Sequence, residues 1–242
     1  MAAYALVLIV GLVAGIVSGI IGTGSSIMLL PILVFQYGPK QAVPIMAIAA
    51  IMANVARVAA WWREVNWRAF AAYSLPGMPA AALGARTLLV LPSHVVDVAL
   101  GLFFLAMIPV RRWHDNQTFR MHLWQLAIAG ACIGFLTGIV LSTGPLSVPA
   151  FTSYGLMKGA FLSTEAASSL ALYITKAITF RELGALPPAA ILRGIIIGSS
   201  LMIGAFIGKA VVLRMNDTIF QHLLDALMLC SGLSLLWAAY TT

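Results

Sequence analysis

Charge is what this chain has least of. Of its 242 residues only 9% are Asp, Glu, Lys or Arg, and 62% are hydrophobic, whereas an ordinary soluble domain carries roughly a quarter charged residues. That shortage leaves no stretch polar enough to form a soluble domain. Cysteine is nearly missing as well. Cys132 and Cys230 both lie inside apolar runs, neither at metal-ligand spacing from a histidine, so a disulfide framework and a zinc site are excluded and both are expected as buried thiols. The four histidines, His94, His114, His122 and His222, fall near run ends or in the central polar stretch. No nucleophile elbow, phosphate loop, metal motif or paired-carboxylate spacing occurs, so the sequence supports neither an enzyme nor a cofactor or metal. The net charge of +7 does not make a nucleic-acid surface, because the 14 Lys and Arg are scattered at the ends of apolar runs and read as topology signals. A basic leader is lacking too: Met1-Ala2-Ala3-Tyr4 runs straight into an apolar segment, which is expected to be kept as a membrane helix.

What the chain does have is long continuous apolar runs, too long and too unbroken for the alternating segments of a barrel. The first covers residues 3 to 22, is interrupted at Thr23 to Ser26, and resumes to Tyr37, where Gly38, Pro39 and Lys40 end it. As one helix, residues 3 to 37 would span roughly 50 Å against a hydrocarbon core of about 30 Å. The chain is therefore expected to fold back at the interruption, whether the pieces cross fully or are re-entrant. Further helices are expected over 43 to 62, 68 to 90 (kinked by Pro76, Gly77 and Pro79) and 94 to 110. After the polar connection Arg111 to His122, helices follow at about 161 to 180, 187 to 210 and 217 to 238.

The interruption occurs twice. Gly15, Ser18, Gly19 and Pro31 answer to Gly134, Thr137, Gly138 and Pro149; Tyr37-Gly38 answers to Tyr154-Gly155, Arg63-Glu64 to Arg181-Glu182, and Gly84 to Gly208. The reading is an all-α polytopic membrane protein of two repeats, residues 1–111 and 122–242, joined by a linker at 112–121. Each repeat has a broken or hairpin first segment plus three further transmembrane helices. Five helical pieces per half would send the second half in from the opposite side, giving inverted repeats. With the N-terminus outside, Arg63, Arg68, Arg111, Arg112, Arg120, Lys158, Lys209 and Arg214 fall in the cytoplasm and only Lys40, Arg86, Arg181 and Arg193 outside, as the positive-inside rule asks. Counting each broken segment as one span gives parallel repeats with a weaker charge bias, so length and the break carry more of that choice.

This repeated pattern of Gly-rich break, small polar residues and Pro, then a Tyr-Gly turn with Lys, then a helix closing on an Arg-Glu loop, resembles the sulfite exporter TauE/SafE family of membrane permeases. The resemblance covers essentially the whole chain. The family's Gly-x-Gly-Gly-Gly break stands here as Gly22, Thr23, Gly24, Ser25, Ser26, and in the second copy as Val140, Leu141, Ser142, Thr143, Gly144, Pro145. It implies a transporter, in the exporting direction, of small sulfur-containing or organic anions such as sulfite or sulfonates, in a bacterial inner membrane.

Thr23, Gly24, Ser25, Ser26, Ser142, Thr143 and Gly144 are thus the candidate substrate-binding residues. The hydroxyl residues are good helix N-caps, and amides left open at the start of the short helices would suit an anion. Gly11, Gly15 and Gly19, at spacing four, read instead as a close-packing face. Arg57 and Lys176 fall inside helices at nearly equivalent places in the two halves. They are candidates to attract an anion, but each lies near enough to its helix end to snorkel to the headgroups, and both readings stand. Glu165 reads as a solvated helix start, with pairing to a cation or carriage of a coupling proton as the other possibility. Partners expected are a small anion, the bilayer and a coupling proton or ion; a homo-oligomer is allowed. The competing function is an accessory or sensor protein that binds an anion or a partner without moving it.

Overall fold

The computed structural model describes residues 2–21, 25–92, 120–139 and 144–212, with isolated helical positions within 95–109 and 229–240. Among the described residues eight α-helices are delimited, in order: α1 (Ala2–Ile21), α2 (Ser25–Tyr37), α3 (Pro39–Trp61), α4 (Trp67–Val90), α5 (Leu123–Ile139), α6 (Gly144–Ser153), α7 (Lys158–Glu182) and α8 (Pro188–Val212). A single 3-10 turn, Trp62–Glu64, joins α3 to α4. There is no strand among the described residues. α1 is described to Ile21 and α2 from Ser25, and α5 to Ile139 and α6 from Gly144; the residues between them, on which the two expected interruptions fall, lie outside the described residues. The expected connection at 111–122 and the expected helices at 94–110 and 217–238 lie largely outside the described residues. Pro76, Gly77 and Pro79 do not interrupt α4, which stays one helix.

Local chemistry sets the helix ends. Gly38 (φ 72°) and Gly155 (φ 99°) occupy the left-handed region that a residue with a Cβ adopts at a cost. They turn the chain from α2 into α3 and from α6 into α7, and the amide of Gly38 bonds the Val34 carbonyl at 2.8 Å. The Asn66 side chain caps α4 by accepting from the amide of Ala69 at 3.1 Å. Gly184 (φ 72°) closes α7, letting the Ala185 amide reach back to the Phe180 carbonyl at 2.8 Å, the bond that ends a helix in a Schellman turn.

Small residues fix how the helices lie. A Cβ added to Gly15 would stand 2.4 Å from the Leu201 carbonyl oxygen, and one on Gly19 2.5 Å from that of Ala205. On the other seam a Cβ on Gly134 would stand 2.4 Å from the Gly77 oxygen, and one on Gly138 2.5 Å from that of Ala81. Only glycine permits backbones this close, and the rising pairs of numbers show that α1 runs parallel to α8 and α5 parallel to α4. Gly194 meets Ile45 and Ile48 while Gly198 meets Ala49 and Met52, so α3 also runs with α8. Asn66 bonds Thr164 and Gly77 meets Leu172, so α4 runs with α7. Hence α1, α3 and α8 point one way and α4, α5 and α7 the other.

Two cores result. One gathers Leu29, Leu30 and Leu33 of α2 with Ile45, Met46, Phe180 and Leu201; the other gathers Phe151 of α6 with Tyr73, Leu126, Leu162 and Leu172. Outward, Ile9, Phe35, Leu75, Leu83, Ile128, Leu192 and Ile203 are exposed, an apolar surface on helices all round the bundle that suits lipid rather than water. Two described stretches, Lys40–Glu64 and Pro188–Ile207, are each long and apolar enough to cross a membrane.

Candidate functional site

Polar side chains converge inside this apolar bundle, on α7. Its residues Glu165, Ser169 and Tyr173 recur at spacing four, with Lys176 three further on, which places them along one face of the helix. Arg57, near the end of α3, donates from Nη1 to Glu165 Oε2 at 3.0 Å, with both side chains under one-tenth exposed. From Nη2 it donates to Asn54 Oδ1. Asn54 in turn is fixed by donating to the Ala50 carbonyl, one turn back, at 2.8 Å. The other carboxylate oxygen of Glu165 accepts from Ser169 at 2.7 Å and from Ser147 of α6 at 3.2 Å. Tyr73 of α4 and Tyr173 both lie within the electrostatic reach of Glu165, and Tyr173 shares a side-chain hydrogen bond with Ser26 of α2. Both short helices therefore touch this cluster: α2 through Ser26, α6 through Ser147.

Lys176 is the second buried cation and is fully enclosed. Its ammonium donates to the Thr137 carbonyl at 2.5 Å and lies 5.6 Å from the centre of the Phe180 ring. Thr137 stands two residues before Ile139, the last described residue of α5, so the lysine ties α7 to that end of α5. Among the described residues no carboxylate pairs with it: the Glu165 side chain starts eleven residues earlier on the same helix, about 16 Å along the axis. A buried amine facing one carbonyl and one ring has little to compensate a positive charge when it is protonated.

The sequence expectations divide as follows. Ser25 and Ser26 open α2 and are buried, and Gly144 opens α6. Thr23, Gly24, Ser142 and Thr143 lie outside the described residues. Snorkelling is not what Arg57 and Lys176 do: their side chains have the reach, yet both are turned inward to partners on other helices. Glu165 is not a solvated helix start. Ser163, Thr164 and Glu165 are all buried, because α4 docks on the first turns of α7 through the Asn66 to Thr164 bond. Cys132 is exposed rather than buried. The packed face of α5 is Leu126, Gly130, Ile133, Gly134, Thr137 and Gly138, and Cys132 falls on the opposite side with Ile128 and Phe135; Cys230 lies outside the described residues. The close-packing reading of Gly11, Gly15 and Gly19 agrees with their contacts to α8. Asn54, Ser147, Ser169 and the two tyrosines were missed, although the polar spacing of four along α7 and the Asn54-to-Arg57 spacing of three were visible signals.

Comparison with known proteins bears on what such a cluster is for. A family model described as sulfite exporter TauE/SafE matches residues 7–235. The chain is 23% identical to a Bacillus subtilis (strain 168) protein described as probable membrane transporter protein YjnA, over 95% of this chain and 98% of that one. No solved structure matches.

Proposed function

The chain belongs to the sulfite exporter TauE/SafE family of membrane transporters, and from that premise we propose that it moves a small sulfur-containing or organic anion, such as sulfite or a sulfonate, across the bacterial inner membrane. Export is the direction the family description suggests. The anion is held between the two interruptions, by Thr23 to Ser26 and Ser142 to Gly144, and exposed to each side in turn by alternating access. The observation that carries this reading is Lys176: an enclosed amine, against the Thr137 carbonyl, with no carboxylate partner among the described residues. An anion would supply the missing charge.

The halves, residues 1–111 and 122–242, act in this reading as inverted repeats. Two features support that. Equivalent helices point in opposite directions, α1 against α5, α3 against α7 and α4 against α8, and the seam Gly15–Leu201, Gly19–Ala205 has its counterpart at Gly134–Gly77, Gly138–Ala81 with the same spacings. Reporter fusions at Asn116 and after Thr242 should then report opposite sides of the membrane, with the first cytoplasmic; the same side for both would remove the inversion.

Transport itself is tested by efflux of sulfite and of methanesulfonate from proteoliposomes. The wild type should release at least one of them, Lys176→Gln should lose most of that flux at normal expression, and Ser25→Ala should weaken affinity about tenfold, the worth of one hydroxyl contact to a charged ligand. Binding without flux in the wild type would favour a sensor or accessory role instead.

A further inference from the structure

The Arg57–Glu165 centre contains more than a structural ion pair uses. Its carboxylate is held by a guanidinium and two hydroxyls, from Ser147 and Ser169, which is the donor set a bound oxyanion would ask for. Ser147 is the fourth residue of α6, so the carboxylate also sits beside the first described turn of that helix, where negative charge is favoured. Beside it, the hydroxyls of Ser74 and Ser168 are buried and have no hydrogen-bond partner. They belong to facing surfaces. Gly77 meets Leu172, Ser74 lies one turn before Gly77, and Ser168 one turn before Leu172 and three residues after Glu165. Buried hydroxyls are normally satisfied, and a sulfur oxyanion brings one oxygen more than the carboxylate now in place.

We propose that Glu165 is an exchangeable counter-anion: on taking a proton it releases Arg57, and the substrate oxyanion takes its place among the same donors, so that a proton is bound with each anion. This rests on the anion-transport reading above. The groups facing Glu165 are Arg57 from α3, Tyr73 from α4, Ser147 from α6, and Ser169 and Tyr173 on α7 itself. Among the described residues Arg57 is the one cation in that set. Two anions sharing one guanidinium in a medium of low dielectric repel each other, and a proton on the carboxylate removes the conflict. The proton comes from water on the open side, no covalent bond to the substrate forms, and for a monoanion the net charge of the site is the same before and after. Movement of anion and proton together is then electroneutral, and follows the sum of their two gradients.

The test uses purified full-length protein in detergent with methanesulfonate and thiosulfate, both fully ionised near neutral pH, in weak buffer containing an indicator dye. Wild type should take up close to one proton per methanesulfonate bound. Its affinity should fall by up to about tenfold per pH unit as pH rises, since a proton is taken up with the anion. Glu165→Gln keeps an acceptor for the two serines but cannot titrate; it should bind without proton uptake and with affinity independent of pH, while Glu165→Asp retains the uptake. Binding by the wild type without proton uptake, or uptake that persists in Glu165→Gln, overturns this inference and leaves the transport reading standing. Absence of both binding and flux for sulfite, thiosulfate and methanesulfonate overturns the two together. Should Glu165→Gln fail to fold, the charge-balanced R57Q/E165Q variant replaces it: loss of proton uptake with at least tenfold weaker binding supports the exchange, and retained uptake overturns it.

Discussion

The two buried cations stand toward the ends of α3 and α7, and their surroundings differ. Arg57 is answered by a carboxylate from the other half and by Asn54 from its own helix; Lys176 is answered by a main-chain carbonyl and an aromatic ring. The difference lies in the partners. Burying an ion costs several kcal/mol unless its geometry is well matched, so the Arg57 centre is balanced within the resting protein while Lys176 has no carboxylate partner among the described residues.

Breaking that contrast should give unequal results. The largest effect is expected from Glu165→Ala, which strands Arg57 and should cost about 3–5 kcal/mol of stability, seen as loss of folded protein in size-exclusion and thermal-shift measurements in detergent. Lys176→Met should go the other way, raising stability by about 1–4 kcal/mol as replacement of buried ions by apolar side chains does elsewhere, while transport falls. A drop in thermal stability for Lys176→Met would show that a partner compensates the lysine after all. The helix seams should respond alike rather than differently. Gly138→Val and Gly19→Val each force a side chain into the backbone of a parallel neighbour, at about 1–3 kcal/mol; a large loss for one and none for the other would show that the seams are not equivalent. Smallest of all, Cys132→Ser lies on an outward face and should change stability by less than about 0.5 kcal/mol, with the thiol open to membrane-permeant maleimides.

Much of the helical layout was legible because each apolar run declares itself locally. The starts and ends of α1, α2, α4 and α8 fall within a few residues of the expected runs. The glycines at spacing four pointed to a packing face for the same reason: a stripe of small residues on a helix has one use wherever the partner lies. Glu165 was misread as solvated because its position, one turn into a helix, is the only thing a sequence reports about it. Nothing local reveals that α4 covers that turn. Cys132 was misread in the opposite sense, since an apolar neighbourhood in sequence does not say which face of a membrane helix meets lipid.

By itself, the sequence determined a helical membrane protein, the placement of most of its described helices, and the presence of two cations and one acid inside apolar segments. These follow from the cost of exposing backbone and charge to hydrocarbon, a cost that acts residue by residue. Only the tertiary structure decided which cation the acid serves. Arg57 and Glu165 are 108 residues apart, on helices of different halves, and they meet because glycine seams hold α3, α4, α7 and α8 in one fixed order. That order also leaves Lys176 against the end of α5 rather than beside a carboxylate, since eleven residues of rigid helix keep Glu165 beyond its reach.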